Sequence, residues 1–380
     1  MMIKIRIRLL KDLGILILIF VSGSKINNFG CIIKENRHQI KARLVSQTYF
    51  IQKGSTIMKA IVLTKPGNAD VLNYTTVPTP TVKPGWSLIK VKGFGINRSE
   101  IFTRNGWSPS VKLPRILGIE GVGEIAETTD EIRLPKGQKV VTLMGGMGRN
   151  FDGSYAEFML IPNQNIYPVT TDLSWSDLAA VPETYFTAYG SLLNLKLTAT
   201  DTLLVRGATS GVGVAAVQLA KAMAPGITVT ATTRNLAKTD RLMTAGFDAV
   251  IEDRNNQLQT NQRFSKILEL VGPLTMVDSM KVLAESGIVC ITGELGGVWS
   301  VKDFDPIAMM TSGAYMTVFS SDGEYNSDGV SEAKFNQLLQ VIEQHHLSIS
   351  PVKTFDLAHT ADAQAYLDGS DSFGKVVVLP

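Results

Sequence analysis

Two hydrophobic textures divide the chain. From Met58 to about Pro168, short runs alternate apolar and polar positions and are broken by Gly and Pro: KAIVLT, SLIKVKGFGIN, GVGEIAE, QKVVTLM and SYAEFMLIP. A period of two with frequent turn residues predicts an antiparallel β domain. From about Leu173 the strands LVR, ITVTATT, AVIED, ILELVG and IVCITG are continuously apolar and alternate with helical segments. Such strands are buried on both faces, which predicts a doubly wound parallel sheet. The tail returns to a mixed pattern, with a helix around Ala333–His345 and a last strand, KVVVLP, that completes the first domain. The predicted division is a leading extension over 1–57, a β domain over 58–180 completed by 322–380, and a parallel-sheet domain over 181–321.

The extension changes the reading of charge. The whole chain is formally +3, but ten basic and two acidic residues fall in Met1–Ile57, leaving 27 basic against 32 acidic, net −5, from Met58 onward. A mildly acidic body argues against a nucleic-acid surface. The apolar run Leu13–Val21 follows a basic start, yet is too short to span a bilayer as a helix. Two readings stay open: Met58 is the real start, or the leading segment directs export or tethers the protein to a membrane. No membrane association is expected of the main body. Only Cys31 and Cys290 occur, without CxxC spacing, which excludes a disulfide framework or a four-cysteine zinc site and makes a reducing, cytoplasmic setting the default.

Candidate chemistry starts at VRGATSGVGVAAVQLAKAM, Val205–Met223. A strand ending at Arg206 and a helix opening near Gly213 would present unpaired N–H groups and a helix dipole to an anion such as a pyrophosphate. Gly207 permits the tight turn, and Ala208, Thr209, Ser210, Gly211 and Val212 form the small-residue cradle. Gly213 lets helix and strand pack closely. The spacing GxxSxxG departs from GxGxxG, and a turn built only for packing remains the alternative. The next strand ends in Thr232, Thr233, Arg234 and then Lys238, with no acidic residue before Asp240. Hydroxyls and cations there suit the 2′-phosphate of NADPH better than the free ribose of NADH, unless the cations merely coat an exposed helix start.

With GFGINRSEIFTRNG, PRILGIEGVGEI, PKGQKVV, GSYAEFMLIP, TYFTAYGSL, LLVRGATSGVG and FGKVVV in that order, the chain from Met58 to Pro380 resembles the medium-chain dehydrogenase/reductase superfamily, in its zinc-free quinone oxidoreductase-like branch. The resemblance implies an α/β architecture: a GroES-like β domain around an inserted Rossmann-type domain. Zinc-dependent relatives place Cys where this chain has Asn97 and His where it has Ile119, so the resemblance implies a metal-free enzyme. It also implies cofactor contacts from Thr187, Gly374 and Lys375, and a homodimer joined through an edge strand at Ala314–Ser321. Val271, Gly272, Thr292 and Gly293 end the fourth and fifth strands, where backbone contact with the nicotinamide ribose is expected.

Without a metal to polarise the carbonyl, the electron sink must lie in the substrate. The expectation is hydride transfer from NADPH to a quinone, enone or enoyl compound, with an enoyl thioester reductase and a non-catalytic NADPH-binding protein as alternatives. Asn97 is either a hydrogen-bond donor beside the nicotinamide or the cap of a turn. Tyr185 is either an oxyanion donor or a core aromatic. Phe102 would stack near the ring and Arg104 line the substrate entrance, or stand as a solvated loop cation. Glu120 is expected to be structural, hydrogen-bonded inside the first domain.

Overall fold

The computed structural model describes residues 56–322 and 330–380, together with four short strands of the leading segment, Ile5–Leu10, Ile15–Ser22, Lys25–Ile26 and Ile33–Lys34. Residues 1–55 form a unit of their own, and the expectations about a start at Met58 or a targeting role lie outside the described residues.

The first lobe contains β1 (Ile57–Leu63), β2 (Leu72–Pro78), β3 (Trp86–Gly95), α1 (Arg98–Arg104), β4 (Arg115–Ile116), β5 (Glu120–Glu127), β6 (Lys139–Leu143), β7 (Phe158–Pro162) and β8 (Tyr167–Pro168). The alternating runs became strands as expected, although β1 alternates exposed and buried residues only over its first half and is buried on both sides from Ala60; it pairs antiparallel with β2. Through α2 (Trp175–Ala179) and α3 (Pro182–Leu195) the chain enters the second lobe. Its elements are β9 (Thr202–Arg206), α4 (Gly211–Met223), β10 (Thr228–Thr233), α5 (Thr239–Thr244), β11 (Ala249–Arg254), β12 (Gln257–Leu258), β13 (Phe264–Glu269), α6 (Met276–Lys281), β14 (Leu283–Ile291), α7 (Pro306–Met309) and β15 (Tyr315–Val318). The tail supplies α8 (Glu332–Gln344), β16 (Lys353–Asp356), α9 (Thr360–Asp368) and β17 (Val376–Leu379).

Two seven-stranded sheets result. The first runs β8-β6-β5-β3-β17-β16 with β7 also on β3, so the last strand of the chain completes the first lobe. The second runs β12-β11-β10-β9-β13-β14-β15, parallel apart from the β12 hairpin. That order reverses direction on either side of β9, and ligands in such sheets sit outside the carboxyl ends of the strands at the reversal. In β9 every residue from Leu203 onward is buried, as a central strand covered on both faces requires. One apolar core joins the lobes: Val122, Val141 and Val377 cluster with Val205, Ala216 and Val229. The apolar stripe of α8, Phe335, Leu338, Leu339 and Ile342, packs into that same cluster against α3 and α4.

Candidate active site

The turn after β9 has the shape its sequence predicts, with one shift. Gly207 takes φ +87°, and its N–H donates to Thr232 Oγ1 at 3.2 Å, so Thr232 anchors the turn and its hydroxyl accepts internally. The helix opens at Gly211, two residues before the expected Gly213, because Ser210 is its N-cap and its Oγ accepts from Gly213 N at 3.1 Å. With the Gly213 N–H capped, the first-turn donors left for an anion are those of Gly211 and Val212. A Cβ on Gly213 would stand 2.6 Å from the carbonyl oxygen of Ala208, so the close approach of helix and turn demands glycine. These residues fit a dinucleotide diphosphate: a cradle of backbone donors that larger side chains would fill.

Beneath the turn lies a network that sequence reasoning missed. The fully buried Arg206 guanidinium makes paired bonds to Asp253 at 2.9 and 3.0 Å and meets Asp278 at 3.0 Å. Beside it, Glu269 accepts from the N–H groups of Val271 and Gly272 and from Thr275 and Ser279. Val271 and Gly272 are thereby fixed at the end of β13, and the backbones of Gly272 and Gly293 touch. Thr292 is engaged through its hydroxyl with Ser191 at 2.9 Å. Strand-end Arg206 had a local signal as a charge closing an apolar run; its partners, 47 or more positions away, had none.

At the end of β10 the cations divide. Arg234 is exposed. Lys238 is not free as expected: its Nζ donates to the carbonyls of Ser370 and Ser372 at 2.7 and 2.9 Å, tying the tail loop to the cofactor lobe. Thr233 closes a local turn with Asn235 through both its donor and its acceptor. Sequence reasoning overlooked Arg241, one turn beyond Lys238, whose guanidinium lies 4.2 Å from the centroid of Phe373. Burial, and then the neighbouring Arg241, pull the Lys238 ammonium below its usual range, with Asp371 opposing and Arg234 adding to the shift.

The tail reaches the turn itself. Gly374 N donates to Thr209 O at 2.9 Å, and Ser210 and Gly374 form a β-bridge. The next residue, Lys375, is buried and sends its Nζ to Glu120 Oε1 at 2.5 Å and Asn97 Oδ1 at 2.7 Å. Asn97 is the N-cap of α1 and its amide also donates to Glu120 Oε1 at 2.7 Å, which leaves one amide N–H without a partner among the described residues. Of the two sequence readings of Asn97, the cap is the one seen in the fold. Glu120 is buried and hydrogen-bonded inside the first lobe to Asn97 and Lys375, and it also accepts from Glu183 N in α3.

Glu183 was also missed, although an acid one turn before Thr187 was there to be read. It accepts from Ser321 and Thr187 at 2.7 and 3.2 Å, and burial pushes its carboxyl up to about 7. Glu100, which accepts from Asn97 N, Ile119 N and Tyr155, is likewise pushed to about 7 by burial.

Of the two readings of Tyr185 the core aromatic holds, and both readings of Arg104 fail. Tyr185 is a core aromatic whose hydroxyl donates to Gln218 at 2.8 Å, so it is no oxyanion donor; burial raises its pKa. Arg104 is buried and holds Gly67 O, Gln364 and Asp368, joining α1 to α9, so it is neither an entrance residue nor a solvated cation. Phe102 does take part in a ring cluster, with Trp107 at 5.4 Å and Trp299 at 5.6 Å.

A zinc ion does not fit the residues at Asn97. Ile119 is an apolar core residue, the Asn97 amide is bonded to Glu120 and Lys375, the Lys375 ammonium stands against the Glu120 carboxylate, and Glu100 is taken up by the N–H groups of Asn97 and Ile119. Among the described residues no group of three His, Cys, Asp or Glu side chains converges on a metal position.

Residues 83–171 match the alcohol dehydrogenase GroES-like domain family, and residues 245–378 match the zinc-binding dehydrogenase family. The quinone oxidoreductase of Homo sapiens is 26% identical over 86% of this chain and 99% of its own length, and that of Mus musculus is 28% identical over the same shares. Among solved structures, the quinone oxidoreductase from Coxiella burnetii superposes with a TM-score of 0.72 at 24% identity, over 86% of this chain and all of its own. A mycobacterial protein complexed with NADPH superposes with a TM-score of 0.71 at 24% identity, over 85% of this chain and all of its own.

Proposed function

Because the chain belongs to the medium-chain dehydrogenase/reductase superfamily, in its quinone oxidoreductase-like branch, we propose that this oxidoreductase transfers hydride from NADPH to a quinone or other conjugated carbonyl compound, without zinc. The observation that carries the reading is the Lys375 ammonium, bonded to Glu120 and Asn97 at the position where zinc-dependent relatives place their ligands. A fixed cation lies there in place of a Lewis-acid donor set, so the acceptor itself must spread the incoming charge.

Bound NADPH would supply the hydride; the residues of the chain bind, orient and stabilise. Gly211 and Val212 donate to the diphosphate from the mouth of α4, and Arg234 with Arg241 takes the 2′-phosphate. Thr187, Val271, Gly272, Thr292, Gly293 and Gly374 surround the nicotinamide half. The free amide N–H of Asn97, held in place by Glu120 and Lys375, can donate to negative charge developing on an acceptor oxygen, in a setting already arranged before reaction. Calorimetry with NADPH and NADH, followed by turnover with quinones, enones and enoyl thioesters, tests the proposal. Binding of NADPH with oxidation by quinones or enones is the expected result, and a folded protein that gives no heat with either nucleotide would refute it.

The second lobe also supports a homodimer. Its sheet ends at β15, an edge strand with Tyr315 65% and Val318 64% exposed, and an apolar edge of this kind templates pairing with another strand. Val318→Lys is expected to convert a dimer into a monomer, read as a halving of mass by light scattering; a wild-type monomer at micromolar concentration refutes the dimer. No helix among the described residues is long and apolar enough to cross a membrane.

A further inference from the structure

Phe102 and Trp107 belong to the first lobe and Trp299 to the loop after β14, yet their rings form one cluster: Phe102–Trp107 at 5.4 Å, Phe102–Trp299 at 5.6 Å and Trp107–Trp299 at 5.7 Å, the last edge to face. Local structure holds each ring in place. Trp107 N donates to Phe102 O just past the end of α1, folding the indole back onto the phenyl ring. Gly296 N donates to Val271 O, which fixes the Trp299 loop to the end of β13. Leu295, in the same loop, stands 3.3 Å from the Cβ position of Gly207, so the cluster borders the dinucleotide cradle.

Trp107 and Trp299 are nevertheless 52% and 51% exposed, and neither indole N–H has an acceptor among the described residues. Leu274 and Leu295 extend the apolar surface beside them. Large exposed aromatics gathered at a cleft, with unused N–H donors, mark a surface that a ligand covers.

We propose that Trp107 and Trp299 are specificity-determining residues: an aromatic clasp contributed by both lobes that selects flat, fused-ring conjugated carbonyl acceptors over open-chain enones. Because the two indoles stand at 88° to each other, a planar ring system stacks on the face of one and meets the other edge-on, where a carbonyl oxygen can accept from its N–H group. An open-chain enone offers the same reacting atoms but no face to stack. The proposal rests on the function inferred above, and its test has an arm that does not depend on turnover.

Trp107→Ala and Trp299→Ala, singly and together, are assayed with a two-ring naphthoquinone, one-ring benzoquinone and an open-chain enone. An aromatic pair is worth about 0.5–1.5 kcal/mol, so each substitution is expected to raise the naphthoquinone KM about 2- to 12-fold. The enone and NADPH KM values stay within about twofold, and Trp→Phe restores much of the loss. Calorimetry with 2-naphthol, which accepts no hydride, is expected to show binding to the wild type that weakens in the double variant. Equal effects on all acceptors, or 2-naphthol binding that is absent or unchanged, overturns the clasp. So does a double variant that alters only the monomer–dimer equilibrium, which would make the cluster a contact between copies. Binding of 2-naphthol that depends on both indoles, without reduction of any acceptor, upholds the clasp and refutes the proposed reaction instead.

Discussion

Arg206→Leu is expected to lower the unfolding free energy by about 3–5 kcal/mol, the usual loss when one member of a buried ion pair is removed. The guanidinium is fully buried at the end of β9, bonded to Asp253 and Asp278 and to Thr275 O and Ser279 Oγ. Leucine fills part of the space but leaves Asp253 and Glu269, 5% and 0% exposed, without their cation. Burial already raises the Glu269 carboxyl while Arg206 holds it down, so losing the arginine raises it further. A carboxyl whose folded pKa lies above its unfolded value favours the folded state below the unfolded pKa, and that contribution disappears as pH rises through the folded one. The deficit should therefore be smaller at pH 5 than at pH 7.5. Urea titrations of wild type and variant at the two pH values check this, and adding Asp253→Asn should recover part of the loss. A deficit under about 1 kcal/mol at both pH values would mean that the network is not what holds the turn.

The same residue shows how far the sequence could be read. Local patterns predicted the strand ending at Arg206, the glycine at Gly207 and the small-residue opening of α4, because each follows from backbone geometry over a few neighbouring positions. The start of α4 at Gly211 instead of Gly213 followed from Ser210, a capping residue visible in the sequence but read there only as small. What resisted reading was pairing across the fold. Lys375 and Glu120 are 255 positions apart, and Arg104 meets Gln364 across 260. A charge in a loop sequence looks solvated until the partner that buries it is known, which is how Arg104 was mistaken for an entrance residue. Tyr185 erred in the opposite direction, a hydroxyl credited to the cleft that Gln218 on α4 already holds. Family resemblance singled out Gly374 and Lys375; in the fold Gly374 bridges to Ser210 beside the turn, while the Lys375 ammonium is tied to Glu120 and Asn97.

Cofactor choice leads to the second large effect. Thr232, Thr233 and Lys238 were all expected to receive the 2′-phosphate, but each is engaged within the protein. That leaves Arg234 as the exposed cation at the end of β10, with Arg241 nearby against Phe373. A hydrogen bond to a charged group contributes about 1.5–3 kcal/mol, so Arg234→Ala should raise the NADPH Kd about 10- to 150-fold. NADH, which lacks the phosphate, should lose less than about twofold, so the preference between nucleotides falls by nearly the whole amount. Calorimetry with both nucleotides on both proteins measures this difference directly. Raising the salt concentration should weaken NADPH binding to the wild type more than to the variant, because the contact lies at the surface where ions screen it. Equal losses for NADPH and NADH would place Arg234 in the general support of the turn, and an unchanged NADPH Kd would shift the phosphate to Arg241.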